Sequence, residues 1–146
     1  MVDVGGKTPT RRRAVVCGTL TMSADTFALI CQRRVPKGDP FTIATIAGIQ
    51  AAKRTAELIP LCHPIPLDHV HLTWTPDTAG HRMHVTAETL TTAKTGIEME
   101  AFVAASIALV TLYDMIKSGD PSATITDLRL VHKSGGRHGF QRTEDA

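Results

Sequence analysis

The chain has 146 residues, of which 42% are apolar and only 4% aromatic, and its formal net charge is +2. This length suits a single domain over residues 1–146 with a real hydrophobic core, and it leaves too little chain for two such cores. The small net charge does not indicate a nucleic-acid-binding protein. No signal peptide is visible, and no charge-free run approaches the ~20 residues that span a bilayer. We therefore expect neither nucleic acid nor a membrane as partner.

Cysteine usage indicates a reducing compartment. The three cysteines, Cys17, Cys31 and Cys62, are irregularly spaced and form neither a disulfide framework nor a CxxC site. We therefore expect reduced thiols in a cytoplasmic protein.

The first half of the chain predicts an arm, a strand and two helices. Residues 1–10 are glycine-containing and are expected to form a flexible arm. Alternation and β-branched residues over 12–22 predict a strand, after which Ser23 is placed to cap a short helix. A proline-containing turn at 36–40 leads into a second predicted helix over 41–58.

A proline-rich loop at 60–66 is the first candidate for function. Three prolines within seven residues stiffen it, and Cys62 and His63 lie inside it. His63 is suited to proton transfer or ligand contact, since loops on rigid scaffolds carry function. The alternative is a loop histidine that makes one hydrogen bond. Cys62 could be a nucleophile, but no base is identifiable for it, and a small buried thiol is the simpler interpretation.

The remaining strands complete an α+β pattern. Strands are predicted at 70–75, 81–89 and 123–132, and residues 134–146 are expected to form a mobile tail. With the long helix described next, the predicted order is β-α-α-β-β-α-β. The simplest arrangement is a ferredoxin-like sandwich with one extra helix, in which an antiparallel sheet carries its helices on one face.

The most apolar stretch, residues 95–120, predicts a helix that is buried on most of its circumference. Thr95 is placed as its N-cap, and Glu98, three positions on, would complete a capping box. Lys117 lies in the predicted last turn and Gly119 follows as a C-terminal residue.

Two acidic residues share one face of this predicted helix. Glu100 and Asp114 are fourteen positions apart, which places them about 40° apart around the axis and about 21 Å apart along it. One small reacting centre cannot contact both ends of the helix. Either the substrate is long, or a second copy of the chain runs antiparallel and brings its Asp114 to this Glu100. We favour the second explanation, because a helix that is apolar nearly all round needs covering.

Asp114 is the strongest catalytic candidate by context. Lys117, one turn beyond it at i+3, can contact it, and a carboxylate paired with a lysine in an apolar helix resembles a tuned acid–base pair. The alternative is an ordinary salt bridge near a helix end. Lys37 and Lys53 could bind phosphates, although exposed lysines usually bind nothing.

A zinc site is a weaker hypothesis. His69 and His71 lie on one face of a predicted strand and could form half of a site with His84. Polar residues on the solvent face of a strand are the favoured explanation.

Five motifs in order resemble one known family. The segments A-G-I-Q-A-A-K-R-T, L-I-P-L-C-H-P, K-T-G-I-E-M-E-A, Y-D-M-I-K and K-S-G-G are similar to those of the cyclic pyranopterin monophosphate synthases, the MoaC family of molybdenum cofactor biosynthesis. The likeness runs from the first residues to about Gly136. It implies a single catalytic domain, a lyase that converts 3′,8-cyclo-7,8-dihydro-GTP to cyclic pyranopterin monophosphate and releases pyrophosphate.

The resemblance also implies an assembly and a set of site residues. The expected assembly is a homohexamer, a trimer of dimers, with active sites at the dimer interfaces. Mg²⁺ could accompany the substrate phosphates, but no dedicated metal site and no other cofactor is expected. Asp114 matches the catalytic aspartate, with Lys117 as its acid–base partner. The expected substrate-binding residues are Leu61, Cys62, His63, Met99, Glu100, Glu98, Lys37, Lys53 and Arg12.

Overall fold

The computed structural model describes residues 1–142 as five strands and four helices. In chain order the elements are β1 (Thr10–Thr21), α1 (Ala24–Cys31), α2 (Pro40–Ala52), α3 (Thr55–Leu58), β2 (His69–Asp77), β3 (Arg82–Ala93), α4 (Glu98–Ile116), β4 (Thr124–Ser134) and β5 (Phe140–Gln141).

The strands form one sheet in the order β2-β3-β1-β4-β5, and every neighbouring pair is antiparallel. Helix α4 packs against β1, β3 and β4, and α2 packs on α4 and β2. The predicted α+β class and ferredoxin-like sandwich are therefore confirmed, with α3 and the two-residue β5 as additional elements.

The core lies between the sheet and α4. Alternate residues of β1, including Val16 and Leu20, are fully buried beneath the helix. Four of the ten buried positions on α4 are alanines, which lets the backbone of α2 approach closely. At Gly48 of α2 a β-carbon would lie only 2.8 Å from the carbonyl oxygen of Ala104. The close packing of α2 on α4 thus requires glycine at this position.

Helix α4 is long and apolar enough to cross a membrane by length and composition alone, and within residues 1–142 it is the single helix of this kind. More than half of its apolar window is buried inside the fold, against the sheet and α2. This packing is that of a core helix in a globular domain.

The predicted second helix is wrong in one respect, because it is two helices. Helix α2 ends at Ala52, and the short helix α3 begins at Thr55. The buried Thr55 hydroxyl donates a hydrogen bond to the Ala52 carbonyl at 2.9 Å, which satisfies one acceptor at the end of α2. Lys53 and Arg54 lie at the break.

The predicted ends of α4 are also wrong. Its N-cap is Ile97, which provides no side-chain hydrogen bond, and Thr95 lies outside the helix. Glu98 does not form the predicted capping box, since its carboxylate pairs with Lys133 at 3.0 Å. Lys117 is the C-cap, and Gly119 does not take up the left-handed conformation of a terminating glycine.

The predicted tail begins with regular structure. Ser134 is the last residue of β4, and Phe140 and Gln141 pair with Lys133 and His132. Residues 143–146, also assigned to the tail, lie outside the described residues. At the other terminus Lys94 donates a 2.7 Å hydrogen bond to the Gly5 carbonyl, and the flexibility of the arm stays a prediction.

Candidate active site

The first group of candidate residues lies at the C-terminal end of α4, around Asp114. The Lys117 ammonium is 2.7 Å from one Asp114 carboxylate oxygen, and the Lys37 ammonium is 2.8 Å from the other. Lys37 also donates a 2.7 Å hydrogen bond to the Asp114 backbone carbonyl. The structure thus confirms the i,i+3 contact of Asp114 with Lys117 and adds Lys37, which is 77 residues away in sequence.

The two lysines keep Asp114 ionised. Hydrogen bonds from Lys117 and then Lys37 lower the pKa of Asp114 to about 2, and the hydrogen bond to Asp114 raises the pKa of Lys117. The Asp114 side chain is 52% exposed. The group therefore presents one carboxylate and two ammonium groups to solvent, with a net charge of +1. Such a group can attract an anion.

A tight turn before α2 brings Lys37 to Asp114. Gly38 has a φ of 111°, which other residues adopt only with strain, and its N–H donates to the Val35 carbonyl at 3.1 Å. Asp39 then caps α2 by accepting hydrogen bonds from the backbone of Phe41 and Thr42. Lys37 is therefore fixed between a buried Val35 and the capped start of a helix.

The second group lies at the other end of α4, around Glu100. This residue is only 3% exposed, and it lines a cavity of about 380 Å³ together with Lys53, Arg54, Pro64 and Pro66. Burial raises the pKa of Glu100, and the nearby Glu98 raises it further. Lys53 lies at the break between α2 and α3, and it lines this cavity. The sequence did not indicate the break.

The proline-stiffened loop lies beside Glu100. Burial, and then the Glu100 charge, raise the pKa of the Cys62 thiol, which therefore stays protonated. A protonated thiol is a poor nucleophile, so Cys62 is better suited to contact than to covalent catalysis. His63 is half-buried in the same loop, whereas Leu61 is 71% exposed and Met99 is also exposed.

The third group lines a cleft of about 660 Å³ formed by the start of β1, the end of β4 and the segment before α4. Arg12 and Glu98 are both in it, and Glu98 is the single acidic residue among its lining residues. The cationic side chains of the lining are Lys7, Arg12, Arg13, Lys94, Lys133 and Arg137. This excess of positive charge makes the cleft suited to an anionic ligand.

Lys133 is a candidate that sequence reasoning missed. Its ammonium donates a 3.0 Å hydrogen bond to Glu98, 35 residues away, and both residues line the 660 Å³ cleft, here called the basic cleft. The sequence signal for this residue is the K-S-G-G motif, of which Lys133 is the first residue.

The zinc hypothesis receives no geometric support. The His69 and His71 rings stack at 5.9 Å on the exposed face of β2, while His84 bonds to the Thr19 hydroxyl at 2.9 Å. Within residues 1–142 there is no group of three or more His, Cys, Asp or Glu side chains that could hold a metal ion.

One chain does not bring all the candidate residues together. Asp114, Lys117 and Lys37 meet at one end of α4. Lys53 and Glu100 line one cavity at the other end, about 21 Å along the axis, and the Glu100 charge acts on the Cys62 thiol there. The charged side chains at one end of α4 therefore do not contact those at the other end.

Comparison with known proteins shows the family of the chain. The MoaC family profile matches residues 1–136. The chain belongs to the MoaC family. Among curated relatives, the "Cyclic pyranopterin monophosphate synthase" of Chloroflexus aggregans is 49% identical over 100% of this chain and 89% of the relative. That of Pelotomaculum thermopropionicum is 48% identical over 97% of this chain and 84% of the relative. "Cyclic pyranopterin monophosphate synthase 3" of Mycobacterium bovis is 49% identical over 100% and 82%.

Membership of the MoaC family covers all three groups of residues. The matched range includes the start of β1, the proline loop, both ends of α4 and the K-S-G-G turn. All three groups of candidate residues therefore lie within the range that the family profile matches.

Proposed function

We propose that this MoaC-family chain is a cyclic pyranopterin monophosphate synthase, a lyase of molybdenum cofactor biosynthesis that converts 3′,8-cyclo-7,8-dihydro-GTP to cyclic pyranopterin monophosphate and pyrophosphate. The observation that carries the proposal is identity of 48–50% with synthases of that name over at least 95% of the chain.

The cations of the three groups suit the substrate's triphosphate. A triphosphate carries several negative charges and requires convergent donors. Arg12 and Lys133 in the basic cleft, Lys53 at the Glu100 cavity and Lys37 at Asp114 can each donate to phosphate oxygens. Leu61, Cys62, His63, Met99 and Glu100 then surround the ring system of the substrate.

Asp114 and Lys117 are the proposed acid–base pair. The rearrangement moves protons on and off ring nitrogen and carbon, with Asp114 as the proposed acceptor and Lys117 as the proposed donor. Their ion pair lowers the pKa of Asp114 and raises the pKa of Lys117, which weakens both groups for these roles while the pair is intact. For pyrophosphate release, a ribose hydroxyl oxygen attacks the α-phosphorus and its proton passes to a base. The α–β bridging P–O bond breaks as the new O–P bond forms. Cations around the leaving pyrophosphate stabilise its charge.

A complete site is proposed to form between two chains of a homohexamer built as a trimer of dimers. Support comes from the distance of about 21 Å between Glu100 and Asp114 along α4. Further support comes from apolar side chains that α2 and α4 leave exposed, including Ile46 and Val110. A second copy of the chain that covered these side chains would bring the N-terminal end of one α4 helix near the C-terminal end of the other.

We also propose that the protein is cytoplasmic and that it has no dedicated metal site of its own. The three cysteines are free thiols, as a reducing compartment requires. Because Mg²⁺ prefers oxygen ligands and usually arrives with phosphates, any Mg²⁺ would be held by the substrate's own oxygens.

The direct test is to incubate the protein with 3′,8-cyclo-7,8-dihydro-GTP and to measure pyrophosphate and the pterin product. Asp114→Asn and Lys117→Ala should each lose more than about tenfold in rate, which corresponds to ~1.4 kcal/mol. Asp127→Asn, an exposed aspartate on β4, is the matched control and should retain activity. Substrate binding by the wild type without pyrophosphate release would overturn the proposal in favour of a non-catalytic nucleotide-binding protein.

A further inference from the structure

The end of β4 turns back onto the start of β1 through two glycines, Gly135 and Gly136. Gly135 has a φ of 91°, and its carbonyl accepts a 2.7 Å hydrogen bond from the Thr10 hydroxyl. A β-carbon at Gly135 would lie only 1.7 Å from the Arg11 carbonyl oxygen. The turn is therefore packed backbone against backbone on β1, and its position relative to Arg12 is fixed.

Gly136 has a different neighbour, the guanidinium group of Arg12. A β-carbon at Gly136 would lie 2.6 Å from Arg12 Nη1, and the other atoms near it, Arg12 Cζ and the His138 carbonyl oxygen, are 3.9 Å away. On its other side Arg12 donates from Nε to the Ala93 carbonyl at 3.4 Å. The guanidinium thus occupies the space that the missing side chain of Gly136 leaves open, inside the basic cleft.

The two glycines differ in what a substitution would do. Alanine at Gly135 would strain the backbone and collide with the backbone of β1. Gly136 does not have a left-handed φ, and the atom that its β-carbon would meet is the far end of a flexible side chain. Gly136→Ala should therefore fold normally and move only the Arg12 guanidinium.

We propose that Gly136 is a positioning residue, which places the Arg12 guanidinium for a phosphate group of the substrate. The proposal rests on the proposed function through the phosphate-binding role of Arg12. A guanidinium binds phosphate through two parallel hydrogen bonds in a planar fork. That geometry is lost when Nη1 is displaced, even though the positive charge remains in the cleft.

The test is a double-mutant cycle with pyrophosphate as the ligand, measured by calorimetry. Arg12→Ala should weaken pyrophosphate binding by about tenfold or more, the size of a lost charge-assisted hydrogen bond. Gly136→Ala should weaken binding by several-fold, and the double variant should bind no more weakly than Arg12→Ala alone. All variants should retain the melting temperature of the wild type.

A kinetic readout and a control accompany the cycle. With the cyclised GTP substrate, Gly136→Ala should raise KM more than it lowers kcat, because proton transfer at Asp114 does not involve the cleft. Gly6→Ala is the matched control: Gly6 lines the same cleft, but a β-carbon there meets nothing within 4 Å. It should bind pyrophosphate as the wild type does.

Three results would overturn the proposal. Gly136→Ala could bind pyrophosphate with unchanged affinity, or its effect could persist in full when Arg12 is already alanine. Alternatively, Arg12→Ala could leave binding unchanged, which would also remove Arg12 from the phosphate site. Pyrophosphate release by the wild type is measured separately, so that loss of this inference is distinguishable from loss of the proposed function.

Discussion

Asp114 owes its low pKa to two lysines that come from different parts of the chain. Lys117 is held by the helix itself, whereas Lys37 depends on the turn at Gly38. Lys37→Ala should therefore raise the pKa of Asp114 from about 2 towards its ordinary value, because one of its two hydrogen-bonded cations is lost. A ¹³C NMR titration of the Asp114 carboxyl group would measure the change.

The same pKa shift determines the effect of pH on stability. Because the pKa of Asp114 is lower in the folded protein than its ordinary 3.8, its interactions stabilise the fold above pH ~4. That stabilisation is lost as the pH falls from ~4 to about 2, and Lys37→Ala should narrow this window. Lys53→Ala, at the opposite end of α4, is the control. An Asp114 pKa unaffected by Lys37→Ala would show that the contact does not persist in solution.

Glu100 presents the opposite case, since burial raises its pKa from the ordinary 4.5. Because the fold disfavours the ionised form, Glu100 lowers the stability of the protein above pH ~4.5 and does not lower it below that value. Glu100→Gln should therefore raise the melting temperature at pH 7 and should change it little at pH 4. Calorimetry at both pH values would measure this.

The exposed Glu57, which lines the same cavity, provides the control for Glu100. Glu57→Gln should leave the melting temperature unchanged at both pH values. If Glu100→Gln destabilised the protein at pH 7, the carboxylate would have a stabilising partner there. The expected gain in stability together with a loss of activity would show that Glu100 is retained for function.

Ser23 and Thr95 are both placed in the sequence to cap a helix, but only Ser23 does so in the structure. Ser23 accepts a 3.3 Å hydrogen bond from the Thr26 N–H and caps α1, whereas Thr95 does not cap α4. Ser23→Ala should cost about 1 kcal/mol of unfolding free energy, and Thr95→Ala should cost much less. Urea denaturation of the two variants would compare them directly, and equal losses would contradict the assignment of the caps.

Local signals predicted the elements well where the pattern was long and periodic. The strands, α4 and the Ser23 cap followed from alternation, apolar runs and capping residues. The false capping box at Glu98 arose because a partner 35 residues away, Lys133, binds its carboxylate. The break after Ala52 was missed because the Thr55 hydroxyl bonds to the Ala52 carbonyl there, a contact that hydrophobic periodicity does not record.

The contacts of the candidate site could be predicted only where they are local in the sequence. Lys117 could be paired with Asp114 from spacing alone, because one turn of helix joins them. Lys37 was predicted as a possible phosphate ligand, but its contact with Asp114 spans 77 residues and no local pattern indicated it. The burial of Glu100 and the charge of the basic cleft depend on packing between distant segments, which no local pattern contains.

If each active site is shared between two chains, two different inactive variants should complement each other. Asp114→Asn and Glu100→Gln chains are each expected to be inactive alone. After dissociation and reassembly together, about half of the dimers should be mixed, each with one intact site of two, which gives about a quarter of the wild-type activity. Pyrophosphate release from the reassembled mixture is the measurement.

Two controls make the complementation decisive. Wild-type protein taken through the same procedure must recover its activity, and a chain with both substitutions mixed with either single variant should stay inactive. If the mixture of single variants stays inactive while the wild type recovers, each chain carries its own complete site. The two ends of α4 would then act on different parts of one long substrate.

Helix α4 also limits how the chain can change in length. One residue inserted between Glu100 and Asp114 would rotate everything beyond it by about 100° and advance it by ~1.5 Å. Asp114 would then turn away from Lys37, and the apolar side chains that follow the insertion would leave the core. The turn between Asp77 and Arg82 sets no helical spacing, although the His81 carbonyl within it accepts a 3.1 Å hydrogen bond from the Met22 N–H. Insertions on the Asp77 side of that turn should therefore be tolerated better than insertions in α4, where the spacing of the two carboxylates allows no change.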